Sequence, residues 1–397
     1  MTPIDPPRFR DPRNPGAPII PRSEWDFPPY HRWTFQHIRE MTPTAQIWRG
    51  DGPVMPIKSQ PVDLKAVTYE HAGATSTFER YLAGTFVDGF LVLHKGAVVS
   101  ETYLNGMKPH GTHLAMSVTK TIVGLVIGIL VERGMLDVAA PLTHYLPELE
   151  ATAYRGATLQ HVLDMTTGVT FDESYMTPGS HMQKLDLACG WKPNTEPGWP
   201  RTMWQLVLTL TEQERPHGAA FAYRSIETDV LGFVIERATG LPLAEVISQE
   251  LWAPMGAGED AYITVDHGGT ALADGGFCAT LRDYGRLALL LLADGARDGR
   301  QIIPARWIEE TRNASGELFQ GVYRNALPEG AYHNQIWIED MTRRAYMARG
   351  IFGQFIYVDP TTDFAVVQLA TWPEFVSDAR TLEFRAVVDA IRAHLST

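Results

Sequence analysis

The sequence predicts an α+β fold: an antiparallel sheet contributed by both ends of the chain and flanked by helices, with a helical region inserted between them. Three observations carry this. β-rich runs occur at 88–103 and again at 334–372, the stretch from about 140 to 270 is dominated by helical periodicity, and one wholly apolar run, 121–131, belongs in an interior. The expected organisation is an α/β sandwich domain made of 1–140 and 271–397, with a helical domain inserted at 141–270. At 397 residues the chain is long enough to bury a substantial core.

Taken in order, the amino terminus (MTPIDPPRFRDPRNPGAPIIPRSEWDFPPYHRW) has no apolar core that could act as a signal peptide, and its prolines suggest an extended arm lying along the fold. DGFLVLHKGAVVSETY reads as two strands around a Lys95-Gly96 turn. The run that follows, TIVGLVIGILV, has no polar stripe and fits a helix buried in the centre, too short to span a bilayer. Helical patterns continue through HYLPELE, LQHVLDMTTG, TMWQLVLTL, TDVLGFVIERATG and LAEVISQELWAPM, interrupted by an irregular loop at 171–200. GGFCATLRDYGRLALLLLADG is expected to be a helix. NQIWIED, AYMARG, FGQFIYVDP and DFAVVQLATW then return to strands, with Asp359-Pro360 as a turn, and LEFRAVVDAIRAHL closes the chain as a helix.

Composition narrows the partners. A net charge of −12 argues against nucleic acid or anionic membrane as a partner and leaves small molecules. The two cysteines, Cys189 and Cys278, are too few for a disulfide framework and read as buried small apolar residues. The histidines show no HExxH or HxHxD spacing, so neither a metal site nor a cofactor is expected. A cytoplasmic protein is the default, and a homodimer is compatible with the sequence.

Ser117 and Lys120 open the apolar helix. Three residues apart, they lie on nearly the same face, so the amine can reach the hydroxyl. A helix start and apolar surroundings both disfavour an ammonium, so a lysine ordinarily near pKa ~10.4 could be neutral at pH 7 and take the serine's proton. The bland alternative is a lysine that snorkels to water. A proton taken from serine must be handed to a leaving group. Tyr223, in the FAYRSIET segment just before a helix, could do this, since a phenol beside a cation titrates below its usual ~10. Its bland alternative is a half-buried residue at a helix start.

The order of these elements resembles the serine hydrolases of the class C β-lactamase and penicillin-recognising family: Ser-Val-Thr-Lys at 117–120, Tyr-Arg-Ser at 223–225, and a late glycine between two strands. The resemblance runs from about Asp88 to the end of the chain. Within that family the chain is most similar to the 6-aminohexanoate-dimer (nylon oligomer) hydrolases, which carry Tyr-x-Ser in place of Tyr-x-Asn. These also have a Phe-Asp-Glu-x-Tyr loop, here Phe171-Asp172-Glu173-Ser174-Tyr175, followed by an aspartate and a tryptophan, here Asp186 and Trp191.

The resemblance implies a β-lactamase-like fold and a serine hydrolase that cleaves linear amides and small carboxylic esters through an acyl-enzyme. Ser117 would attack, Lys120 would be the base and Tyr223 the relay. The N–H groups of Ser117 and Ile351 would form the oxyanion hole. Tyr175 would hydrogen-bond the leaving amine and Asp186 would receive a substrate ammonium; their bland alternatives are a packed aromatic and an exposed loop carboxylate. Trp191 and Trp199 read equally as pocket walls for a linear aliphatic chain and as lid packing. There is one departure. Penicillin-recognising members place Lys-Thr-Gly on the edge strand to hold a β-lactam carboxylate; the matching place here is Ala348-Arg349-Gly350, which keeps only the glycine that lets backbone approach the substrate. That departure counts against β-lactam turnover. It leaves a carboxylesterase with little amidase activity, and a penicillin-type protein that acylates once, as alternatives. Asp274-Gly275-Gly276 is a further, weak candidate for an anion cradle.

Overall fold

The computed structural model describes Gly16 and residues 19–396; most of the expected amino-terminal arm lies outside them. The elements that position the site are, in order, strands β1 (Thr44–Ile47), β2 (Val87–His94), β3 (Ala97–Tyr103) and β4 (Thr112–Leu114), and helices α1 (Val118–Glu132), α2 (His181–Ala188) and α3 (Ser225–Thr239). They continue with β5 (Ala261–Thr264), β6 (Phe277–Thr280), α4 (Leu281–Leu292), β7 (Ala331–His333), β8 (Ile336–Asp340), β9 (Ala345–Gly350), β10 (Gln354–Asp359), β11 (Phe364–Ala370) and α5 (Asp378–Leu395).

The main sheet runs β7-β8-β9-β10-β11-β2-β3, extended at its edge by Lys58–Ser59. Its strands therefore come from both halves of the chain, joined where β11 pairs antiparallel with β2. Every pair is antiparallel except the Lys58–Ser59 edge, which runs parallel to β3. Lys95 and Gly96 both take positive φ, 50° and 74°, as a two-residue hairpin turn between twisted strands demands. At the other hairpin, between β10 and β11, the Asp359 carboxylate accepts from the Thr361 N–H at 3.0 Å and fixes the turn.

A second, smaller sheet was not foreseen. It runs β1-β5-β6-β4 and draws strands from three separated parts of the chain, one strand (β5) lying within the stretch read as helical. The run read as one helix from 275 divides at Thr280. That residue ends β6 and caps α4, its hydroxyl accepting from the Asp283 N–H at 3.1 Å and donating to the Asp283 carboxylate at 2.7 Å. Helix α2, inside the loop expected to be irregular, is likewise started by Ser180, which accepts from the Gln183 N–H at 3.0 Å.

Helix α1 is buried from Val118 to Leu130. Two glycines make this possible: a Cβ at Gly124 would stand 2.4 Å from the Asn334 carbonyl oxygen, and one at Gly128 would stand 2.5 Å from the Trp307 ring. Glycine inside a helix costs roughly 0.5–1 kcal/mol relative to alanine, which close packing against these neighbours offsets. Both cysteines are free and buried. Among the described residues, no helix is long and apolar enough to cross a membrane.

Candidate active site

Strand β4 delivers the chain into a tight turn ahead of α1. Met116 takes a φ of 49°, uncommon for a residue with a side chain, and Ser117 follows as the N-cap of α1. The Ser117 hydroxyl makes no capping bond to its own helix. It receives instead a hydrogen bond from Lys120 Nζ at 3.0 Å. Gly350, at the end of β9, packs on this turn: a Cβ there would lie 2.5 Å from the Ala115 carbonyl oxygen and 3.1 Å from Met116 Cβ. The glycine thus admits the strand to the serine's own turn, in addition to the close approach of backbone to substrate read from the sequence.

Lys120 is 1% exposed and does not snorkel. Its Nζ also donates to the Asp274 carbonyl oxygen at 2.7 Å and lies 3.4 Å from Asp274 Oδ2. Burial pushes the ammonium's pKa down, but the Tyr223 oxygen and the carboxylates of Asp274, Glu173 and Asp229 outweigh it, so the pKa stands above the ordinary lysine value. This corrects the expectation of a neutral amine. The helix start and apolar walls were visible in the sequence; the acidic groups around them were not.

Tyr223 lies against the same pair. Its ring centroid is 5.3 Å from Lys120 Nζ, its ring stacks on Trp337 at 5.3 Å, and its backbone N–H donates to the Tyr323 hydroxyl at 2.9 Å. Burial raises the phenol's pKa; the Lys120 cation and hydrogen bonding with Ser117 and Lys120 pull it back, and the balance stays above the ordinary value. Arg224, next in sequence, turns away from the phenol, donating to the Thr167 carbonyl oxygen at 3.0 Å and to Glu214 Oε1 at 2.7 Å.

Ser117, Tyr223, Tyr175, Gly350 and Ile351 all line one cavity of about 360 Å³. Glu173 lines it too, and sequence reasoning gave it no role. Its Oε2 accepts from the Ser225 N–H at 2.8 Å, and its Oε1 accepts from the Ser225 hydroxyl at 2.5 Å and the Tyr175 hydroxyl at 3.2 Å. The serine of the Tyr-x-Ser motif is thereby tied to the Phe-Asp-Glu-x-Tyr loop. Burial raises the Glu173 carboxyl to about 7, against the pull of Lys120 and Ser225. Tyr175 stacks on Phe375 with ring centroids 5.0 Å apart.

Asp186 and Trp191 are not among the residues lining this cavity. Asp186 Oδ2 accepts from Lys192 Nζ at 3.1 Å, and Lys192 also pairs with Asp26 at 3.0 Å, so the carboxylate expected to await a substrate ammonium already holds one from its own chain. Burial raises the Asp186 carboxyl to about 6. Trp191 packs edge-on against Trp25 at 5.1 Å and donates to the Thr264 hydroxyl at 3.0 Å. Trp199 stands beside Lys184, not in the cavity wall. The Asp274-Gly275-Gly276 turn presents oxygens to an ammonium, the opposite of an anion cradle, and Gly276 serves packing: a Cβ there would lie 2.4 Å from the Thr264 hydroxyl.

Residues 74–390 match the beta-lactamase family. The chain is 36% identical over 363 residues to the 6-aminohexanoate-dimer hydrolase of Paenarthrobacter ureafaciens, covering 90% of this chain and 89% of that protein. A second relative, Esterase EstB of Burkholderia gladioli, is 30% identical over 164 residues, 38% of each chain. Among solved structures, that of a candidate 6-aminohexanoate-dimer hydrolase from Bacillus anthracis superposes with a TM-score of 0.87 at 27% identity, covering 95% of this chain and 97% of that one.

Proposed function

From the premise that the chain belongs to the beta-lactamase family, we propose that it is a serine hydrolase of linear amides, of the 6-aminohexanoate-dimer kind, and of small carboxylic esters. The observation that carries this is the 3.0 Å hydrogen bond between a buried lysine and a serine hydroxyl that opens onto a cavity walled by aromatic side chains. Ser117 Oγ attacks the carbonyl carbon, and the N–H groups of Ser117 and Ile351 receive the oxyanion. The serine proton passes to Lys120 and is relayed by Tyr223 to the leaving amine or alkoxide. Water then hydrolyses the acyl-enzyme by the reverse transfer. Because its surroundings hold Lys120 as the ammonium, the reactive form is the Lys120–Tyr223 pair with one proton fewer, shared between amine and phenol.

The test is covalent. A fluorophosphonate probe is expected to label Ser117, located by peptide mass spectrometry, and a screen of p-nitrophenyl esters, 6-aminohexanoate dimer and a chromogenic β-lactam reports the substrate class. Labelling elsewhere overturns the assignment of the nucleophile. One observation favours a second reading, a carboxylesterase with little amidase activity: Asp186 is already paired with Lys192, so the contact that would favour an ammonium-bearing amide is taken. Ester turnover without dimer turnover would select it.

A further inference from the structure

Helix α3 begins without a cap of its own: the side chain of its N-cap, Arg224, makes no capping bond, and Tyr223 lies one residue further out, where no carbonyl of the helix can reach its N–H. The backbone N–H groups around the phenol go elsewhere. Ala222 donates to the Met165 carbonyl oxygen at 3.0 Å, and Arg224 to the Met165 sulfur at 3.5 Å. Those of Tyr223 and Ser225 go to two side chains that line the cavity, the Tyr323 hydroxyl at 2.9 Å and Glu173 Oε2 at 2.8 Å.

Tyr323 comes from 100 residues further along the chain, on the short 3₁₀ turn Gly321–Arg324. Its ring packs edge-on against Phe221 at 4.7 Å and lies 6.4 Å from that of Trp337, on which Tyr223 stacks. The base of the turn is held too: Arg324 Nη2 donates to the Gly316 carbonyl oxygen at 2.9 Å, and Arg385 of α5 donates to the Ala326 carbonyl oxygen at 2.7 Å. Among the described residues the Tyr223 N–H is the one partner of the Tyr323 hydroxyl. A phenol that hands on a proton must keep its oxygen within hydrogen-bond reach of the group it serves, and a misplacement of ~1 Å can cost about 10²-fold in rate.

We propose that Tyr323 is a positioning residue for Tyr223: its hydroxyl holds the backbone from which the relaying phenol reaches Ser117 and Lys120. This rests on the hydrolase reading of Ser117 and adds to it a residue that acts on the reaction through another. Without the hydroxyl, the Tyr223 N–H loses its acceptor beside an apolar cavity, and the segment ahead of α3 must shift to regain one. The cost falls on proton transfer, not on binding.

The experiment is a double-variant cycle on hydrolysis of p-nitrophenyl acetate. Tyr323→Phe keeps the ring that walls the cavity and removes the hydroxyl, so kcat is expected to fall about threefold to tenfold, the size of one neutral hydrogen bond, with KM unchanged to within about twofold. In a Tyr223→Phe background the same substitution should cost less than about twofold, because no phenol is left to position. A residue that only packs the wall would cost as much in both backgrounds, and one that bonds substrate would raise KM in both. Either result overturns the proposal, as does an unchanged kcat in the single variant. A second measurement needs neither a folded variant nor turnover. In the unmodified enzyme the Tyr223 amide, resolved by peptide fragmentation in hydrogen-exchange mass spectrometry, should exchange at least about tenfold more slowly than in an unstructured peptide; exchange at the unstructured rate also overturns the proposal. Failure to hydrolyse any ester would sink the hydrolase reading alone, since the exchange measurement still decides whether Tyr323 holds Tyr223.

Discussion

Two lysines are withdrawn into this protein, and each meets carboxylates there. Lys120 lies against Asp274, with Glu173 and Asp229 beyond, and Lys192 bridges Asp26 and Asp186. In both, burial pushes the pKa down and the acidic neighbours push it further up, so both remain ammonium ions. What separates them is the third partner. Lys120 has a serine hydroxyl at 3.0 Å and the ring of Tyr223, its centroid 5.3 Å from Nζ, whereas Lys192 has the face of Phe27 at 4.8 Å. A buried lysine is therefore no sign of a base by itself. The chemistry lies in whether a hydroxyl and a second titratable group share its proton.

The same substitution at both positions gives the largest expected contrast. Lys120→Met should lower kcat/KM for p-nitrophenyl acetate by about 10²–10⁴-fold, the range for loss of a general acid–base group. Lys192→Met should leave that rate within a few-fold. It should instead lower the unfolding free energy by about 3–5 kcal/mol, as expected when two buried carboxylates lose their counter-ion. Steady-state rates and urea unfolding on both variants decide the matter; a comparable rate loss at Lys192 would erase the distinction.

If Lys120 and Tyr223 form one proton-handling unit, their losses should not multiply. The Lys120→Ala/Tyr223→Phe double variant is expected to be scarcely slower than the poorer single variant, because members of a unit are strongly non-additive. Multiplied losses would assign the two residues to separate steps.

The pH profile sharpens the comparison further. Both members of the unit have raised pKa values, so the form lacking one proton is scarce near neutrality. The kcat/KM for a neutral ester should therefore rise as pH increases from 7 toward 9, by up to about tenfold per unit while the reactive form stays scarce. A profile flat across that range would mean that the reactive form is already populated at pH 7.

The smallest effect concerns the acidic surroundings. Glu173 holds its proton to about pH 7 in the folded protein, above the 4.5 of a free glutamate. Folding thus takes up a proton between those values, and this carboxyl's contribution to stability falls as pH rises from 4.5 to 7. Relative to the parent, Glu173→Gln should become more stable between pH 5 and pH 8 by on the order of 1–3 kcal/mol, measured by urea unfolding at both pH values. A difference independent of pH would mean that Glu173 is ionised throughout and adds its full charge to Lys120's surroundings.

Much of this was legible in the sequence, for local reasons. The hairpin at Lys95-Gly96, the buried helix after Ser117 and the strands from 336 onward follow from turn chemistry and apolar periodicity. Ser117 and Lys120 meet because a helix dictates it. What escaped depended on distant partners. The β1-β5-β6-β4 sheet brings β1 and β4 from far along the chain onto β5 and β6, a pairing no local pattern encodes, and Lys192, six residues after Asp186, is shared with Asp26 from near the amino terminus. Two misses were recoverable: Thr280 with Asp283, and Ser180 with Gln183, are capping pairs that could have placed the starts of α4 and α2. The charge on Lys120 was not, since Asp274 reaches it through the fold.

The contact of Gly350 with the turn before Ser117 has a bearing on the order of assembly. More than half the chain separates Ala115 from Gly350, yet the two meet where a Cβ would not fit. Contacts of such long range close late, because the loop between them must be ordered first. As the chain emerges from the ribosome, the serine, its helix and its lysine are made early. The strand that completes their turn and supplies Ile351 comes only near the end. Until then Ser117 is an alcohol among others, and the reactivity proposed for it belongs to the finished protein, not to the segment that encodes it.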